Sequence, residues 1–332
     1  MIGDLISLLA AVCWAAANVT IARGAGAKGD DNGAFLSILL TLVLASLVWG
    51  VTSLAQDGWP TMAPSGLWWF ALGGALTMFI GRVFFHSSIQ WLGAMRGSSV
   101  KRLAPLFSVL LGVLLLHEPL TWSLVAGMAL IFSGFGVLVQ ESLSGKPPAT
   151  GRPAGKRASG WREWVNPGLV YGAVSALAYA LGNVARKYGL LQIPDPAFGV
   201  ALGSLVGAAL FVLAARFMAS YRNAVRSTFT RFNPWLLAAG VLASAGQLLF
   251  FVAIDYSTVS RAALIVSTEV FWTIGLTMLV VRTQEKLSRA TVIAALLGVL
   301  GTVVIMADDG PVAQGQRGPT STLAAPASVS ST

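Results

Sequence analysis

Charge is scarce in this chain of 332 residues: 11% of positions are Asp, Glu, Lys or Arg, 55% are hydrophobic, and the mean hydropathy is +0.74. A soluble domain carries roughly 25% charge, so this chain cannot cover itself with polar surface, and most of that surface is expected to face lipid. Cysteine is nearly absent. The single Cys13 excludes an intrachain disulfide, leaves the compartment open, and reads as a small packing residue within an apolar run. Histidine occurs only at positions 86 and 117. HExxH, GxSxG and Walker A patterns are all missing, which argues against a metallopeptidase, a nucleophile-elbow hydrolase and direct drive by ATP. An intramembrane enzyme is therefore the weaker reading, and no cofactor or metal is expected. The net charge of +9 would suggest nucleic acid in a soluble protein. Here Lys and Arg sit mainly between apolar runs, where they orient a membrane protein, so no nucleic-acid partner is expected.

What is abundant is apolar length. A spanning helix needs about 20 mostly apolar residues. Ten stretches are candidates: Leu5–Ala22, Ala34–Leu54, Leu67–Leu92, Ser99–Leu116, Thr121–Gln140, Gly168–Tyr188, Ala197–Met218, Trp235–Asp255, Ser260–Val281 and Ala290–Ala307. The start, MIGD, lacks a basic region, and its apolar run is long for a signal core, so it reads as the first span. Residues 141–167, rich in Pro, Gly, Lys and Arg, read as a flexible linker. Residues 308–332 have the composition of a disordered tail.

The chain also says much the same thing twice. A shift of 165 places Asn18 on Asn183, Gly81 on Gly246 and Arg96 on Arg261. After a two-residue insertion, a shift of 167 places Glu118 on Glu285, Leu120 on Leu287 and Gly134 on Gly301. Each half holds an odd number of spans, so the second must sit upside down relative to the first. The expectation is an all-α integral membrane protein of ten transmembrane helices, built as two inverted five-helix repeats, residues 1–140 and 168–307.

The stretch EPLTWSLVAGMALIFSGFGVLV, from Glu118 to Val139, resembles the end of an EamA-like repeat. In that pattern a Glu closes one short helix, Leu-Thr or Leu-Ser starts the next, and spaced glycines follow. Pro105 fits the proline thirteen residues before the Glu. The second copy keeps Glu285, Leu287, Ser288 and Gly301, but has Ala294 for the first glycine and Val270 for the proline. The chain is thus similar to the drug/metabolite transporter superfamily. That resemblance implies ten helices and a cargo drawn from amino acids, other metabolites, cationic drugs or nucleotide sugars. Gly127, Gly134, Gly298 and Gly301 are read as helix-packing positions, because helices in lipid associate through close backbone approach. Glu118 and Glu285 are read as structural residues at helix junctions.

Charge at bilayer depth is the sharper functional signal, since Arg or Asp at a helix centre costs roughly 2.5–3.5 kcal/mol on insertion scales. Arg82 and Glu269 lie well inside spans three and nine and should face the bundle. Arg82, His86 and Gln90, spaced i, i+4, i+8, line one face. The repeat carries them onto Gln247, Phe251 and Asp255 in span eight, which suggests either a central polar cavity or a structural lock. Asn18 and Asn183 are matched amides that could bind substrate or bridge helices. Trp14, Tyr179 and Trp272 are candidate cavity walls, while Trp68 and Trp69 look like interfacial anchors.

These features point to a secondary transporter of the cytoplasmic (inner) membrane, working by alternating access on a small-molecule substrate. Arg82 would take a carboxylate and Glu269 an amine, which suits an amino acid; Glu269 or His86 could instead handle a coupling proton. Export is implied by the resemblance. Carriage of organic cations, drugs or nucleotide sugars is the alternative. Seventeen of the 22 Lys and Arg residues fall at the breaks after odd-numbered spans and four on the other side, Arg186 and Lys187 among them. Basic loops stay in the cytoplasm, so both termini are expected outside.

Overall fold

The computed structural model describes residues 2–24, 33–55, 62–85, 88, 103–144, 167–230, 232–281 and 289–308. All regular structure among them is helical: α1 (Ile2–Gly24), α2 (Ala34–Ala55), α3 (Pro64–Gly74), α4 (Ala104–Leu116), α5 (Trp122–Ser144), α6 (Pro167–Gln192), α7 (Pro196–Phe217), α8 (Ala219–Thr230), α9 (Pro234–Tyr256), α10 (Val259–Ser267), α11 (Glu269–Val281) and α12 (Arg289–Ala307). Seven of the described helical stretches are long and apolar enough to cross a membrane, and 104–116, 122–137 and 292–307 are shorter apolar helices. The protein is therefore an integral membrane protein.

Several helix starts follow from local chemistry. Proline at the first helical turn is pre-set for α3, α4, α7 and α9. Asp195 accepts from the Phe198 amide, Asn233 from the Trp235 and Leu236 amides, and Thr258 from the Arg261 amide. These side chains satisfy donors that the first turn leaves open.

Three elements differ from the sequence-based expectation. α3 does not run on as a plain α-helix: Ala75–Gly81 forms a π-helical stretch. Span nine is broken at Thr268, between α10 and α11. Between α7 and α9 an additional helix, α8, occupies what reads in sequence as a break.

The packing pairs elements across the two halves: α1 lies on α9 and α3 on α6, α2 lies on α7, α5 lies on α12, and α4 lies on α10. Exchanging the halves maps this set of neighbours onto itself. Backbone crowding makes two of the crossings possible. A Cβ on Gly74 would strike the Gly203 backbone, where α3 meets α7. A Cβ on Gly127 would lie 2.7 Å from the Gly301 carbonyl oxygen, and one on Gly301 would lie 2.7 Å from that of Gly127. Gly134 sits against the Ala294 carbonyl and Gly298 against the Phe271 ring, so all four of these glycines lie at helix contacts. One apolar cluster surrounds Phe70, Phe198, Phe250 and Phe251, and a second surrounds Ile131, Phe135, Phe271 and Ile305.

Candidate functional site

The π-helical stretch of α3 ends on Gly81, and Arg82 follows it directly. A π turn inserts an extra residue and re-aims what comes next, and such turns recur at functional sites. The Arg82 guanidinium is half-buried. It donates to the Ala34 carbonyl at 3.1 Å and to the Met78 sulfur at 3.9 Å. It also hydrogen-bonds Tyr179 of α6.

Two turns along α6 from Tyr179 lies a second guanidinium. Arg186 is only 4% exposed. It donates to the Asn183 side-chain oxygen at 3.2 Å and to the Thr77 hydroxyl, and it lies 4.8 Å from the centre of the Phe251 ring. Its Nε has no partner among the described residues. Tyr179 is an electrostatic neighbour of both arginines, and the two cations act on one another. No carboxylate among the described residues forms an ion pair with either.

Lys187 follows on the next face of α6. Its ammonium donates to the carbonyls of Ile254 at 2.5 Å, Ser257 at 3.2 Å and Asp255 at 3.4 Å. It thereby closes the C-terminal end of α9, where unpaired carbonyls favour a cation. Across the next turn, Glu118 accepts from the Val259 amide at 2.6 Å and the Ser260 amide at 2.9 Å, heading α10. Close by, Arg261 grips Asp4 through two bonds, Nε to Oδ1 at 2.6 Å and Nη2 to Oδ2 at 3.0 Å.

The structure brings some of the expected residues together. Arg82, Tyr179 and Asn183 share the cluster around Arg186. Phe251, the repeat partner of His86, forms its floor. Gln247 is buried one turn before Phe251, and its Nε2 has no partner among the described residues. Asp255 lies near Lys187.

Other expected residues sit elsewhere. His86 and Gln90 fall outside the described residues. Asn18 is exposed on α1, so the two matched amides have unlike surroundings. Glu269 is partly buried at the head of α11, and Trp272, one turn on, is 39% exposed. The Trp14 indole donates to the Ala243 carbonyl at 3.2 Å and packs on Phe250, between α1 and α9. Trp69 stacks on Tyr188 with centroids 4.9 Å apart, while Trp68 is exposed.

Arg186 and Lys187 correct the charge count. In sequence they lie at the end of span six, Gly168–Tyr188, and count with the basic residues on that side of the membrane. The helix instead runs on to Gln192, just before Pro194 and Pro196, and buries both, so its end is set by Pro one turn beyond the charges.

A helical membrane bundle that gathers two guanidinium groups between its halves defines the class: a polytopic membrane protein. The chain belongs to the EamA-like transporter family, whose model matches residues 1–140 and 166–307. An uncharacterized protein of Pseudomonas aeruginosa is 30% identical over 138 residues, 40% of this chain and 46% of that protein. An uncharacterized transporter of Bacillus subtilis, YvbV, is 29% identical over 160 residues, 46% of this chain and 49% of that one. The matched stretches span about half the length of these curated relatives. A solved crystal structure superposes with a TM-score of 0.60 at 22% identity, over 91% of this chain and 95% of that one; it supports the fold alone.

Proposed function

We propose that this protein is a secondary transporter whose cargo is a small metabolite carrying an anionic group. The observation that carries this reading is the pair of guanidinium groups, Arg82 and Arg186, held about Tyr179 with no carboxylate paired to either among the described residues. A buried cation is costly unless it is paired. A substrate carboxylate or phosphate would supply the missing partner, through the forked geometry arginine offers. Cargo exchange occurs by alternating access of the two five-helix halves, which act as inverted repeats around this cluster. Gln247 and Asn183 add amide donors. An amino acid meets this requirement through its carboxylate, with Glu269 outside the cluster. Nucleotide sugars meet the same charge requirement, and organic cations do not. Export and a proton carried by Glu269 or His86 complete the reading; the direction rests on the family resemblance.

The test is a thermal-shift screen of purified protein against amino acids, dicarboxylates, nucleotide sugars and organic cations, followed by liposome transport of any hit. Only a ligand that prefers the folded state raises the melting temperature. Arg82→Gln and Arg186→Gln should each cost the hit roughly ten- to a hundredfold in apparent affinity, about 1.5–3 kcal/mol for a charge-assisted bond. Stabilisation by organic cations alone, or unchanged transport in both variants, overturns the reading.

A further inference from the structure

Between α7 and α9 the chain adds a helix that the repeat does not require. The equivalent connection in the first half, α2 to α3, is residues 56–63, eight positions with no Lys or Arg. In the second half it is residues 218–233, sixteen positions. From Arg216 to Asn233 there are four arginines and no acidic residue.

The inserted helix is two-sided. Tyr221, Ala224 and Val225 pack against Phe35, Ile38, Ala208 and Phe211. The Tyr221 ring meets Phe211 edge-on, with centroids 4.8 Å apart, and lies 6.3 Å from Phe79. Arg222, Arg226 and Phe229, spaced i, i+4, i+7, share an exposed flank. Large apolar side chains around it are also bare: Phe217 is 80% exposed, Phe229 74% and Phe232 83%. Only Met218 separates α8 from the end of α7, and α9 begins four residues after α8 ends. The helix is therefore held at the mouth of two membrane spans.

We infer that α8 lies in the plane of the membrane surface and binds the headgroups of anionic phospholipids. Arg222 and Arg226 face the lipid phosphates, with Arg216 beside them at the end of α7. Phe217, Phe229 and Phe232 enter the acyl boundary below. An aromatic-and-arginine flank of this kind matches an anionic interface, where long cationic side chains reach up to the headgroups. Charge complementarity selects the lipid: a stretch with four positive and no negative side chains gains from acidic headgroups and gains little from zwitterionic ones. The inner face of α8 rests on Phe79, inside the π-helical stretch that aims Arg82, and on Phe35, next to the Ala34 carbonyl that receives Arg82. Lipid bound outside thus braces the elements that position that cation, whatever the cargo.

The experiment uses the full chain in liposomes of phosphatidylcholine alone and of phosphatidylcholine with phosphatidylglycerol, at one salt concentration. The melting temperature should rise with phosphatidylglycerol. The rise, measured against each variant's own value in phosphatidylcholine, should be lost in R222Q/R226Q and kept in R222K/R226K. Each arginine should be worth about fivefold in affinity for the acidic lipid. Equal rises in wild type and R222Q/R226Q overturn the inference. So does an equal rise with inorganic phosphate added to phosphatidylcholine liposomes, which would point to a free-anion site instead.

Discussion

Glu118→Gln probes how the end of α4 holds the start of α10. The Glu118 carboxylate is 8% exposed. One oxygen accepts from the Val259 amide at 2.6 Å; the other accepts from the Ser260 amide at 2.9 Å and the Ser260 hydroxyl at 2.5 Å. Glutamine keeps the shape but has one acceptor oxygen, so its NH2 group must face a backbone donor. Losing one charge-assisted bond costs about 1.5–3 kcal/mol, and removing a negative charge from a helix N-terminus adds about 0.5–1 kcal/mol. The sum is roughly 3 kcal/mol, or about 6 °C in melting temperature at about 2 °C per kcal/mol for a long chain. The assay is thermal unfolding in detergent, followed by tryptophan fluorescence. Gly112 supplies an internal check. A Cβ there would strike both the Ser260 hydroxyl and the Glu118 carboxylate, so Gly112→Ala already displaces the same bond. G112A and E118Q should therefore combine to less than their sum. A melting temperature for E118Q within about 1 °C of wild type, or strict additivity with G112A, would refute the capping argument.

The close crossing of α5 and α12 predicts that Gly127→Leu or Gly301→Leu costs about 2 kcal/mol by overpacking, while Gly136→Ala, with open space around it, leaves the melting temperature unchanged. Leucine tolerated at both 127 and 301 would contradict the packing. For orientation, burial of Arg186 and Lys187 leaves Arg261 and Arg317 as the basic residues on the side opposite the seventeen. A C-terminal GFP fusion should be dark and an alkaline phosphatase fusion active; the reverse result would place the tail in the cytoplasm. Thr77→Val removes the hydroxyl that receives Arg186 and should weaken ligand stabilisation without abolishing expression; a fully retained thermal shift would count against Thr77 as a positioning residue.

The membrane class and the helix-contact glycines are legible in the sequence, because both depend on one-dimensional features: apolar length and residue size at fixed spacing. The described spans begin close to where the apolar runs put them. Arg82 was also legible, since its cost in lipid does not depend on which neighbour it meets. Arg186 was not. It sits at the end of span six, where a charge reads as interfacial, and only the further turn of helix up to Gln192 and the packing of that turn bury it. The π-helical stretch in α3 and the break at Thr268 left no local signature of composition. Both are backbone responses to packing: Thr77 and Met78 of the π stretch face Gly182 and Gly207, and the Thr268 hydroxyl bonds back to the Ile265 carbonyl. For the π stretch those contacts lie more than a hundred residues away in sequence, so propensity alone does not reveal it. The amphipathic α8 was readable in principle from Tyr221, Ala224 and Val225 at helical spacing, but twelve residues among turn formers read as a break.

Several polar contacts tie the two halves at one face. Asp4, from the first turn of α1, pairs with Arg261 of α10, which also donates to the Asp308 carbonyl at 2.8 Å. Ser123, at the start of α5, donates to the Asp308 side chain. Glu118 holds Val259 and Ser260 at the same level. On the proposed alternating-access reading, opening at this face parts α1 from α10, and the Asp4–Arg261 ion pair, with side chains 2% and 16% exposed, ties them. Removing one partner from a buried pair costs roughly 3–5 kcal/mol; partial exposure of Arg261 brings this toward the lower end. Asp4→Asn should therefore raise the population open at this face by roughly tenfold or more. The readout is labelling of Ser7→Cys in a Cys13→Ala background, because Ser7 is fully buried one turn after Asp4. A membrane-impermeant maleimide should react slowly with S7C and much faster with D4N/S7C. With both termini outside, intact cells supply the accessible face. Acceleration seen only in inside-out vesicles would keep the lock and reverse the orientation. Equal rates for S7C and D4N/S7C from both sides would show that the Asp4–Arg261 pair does not hold this face closed.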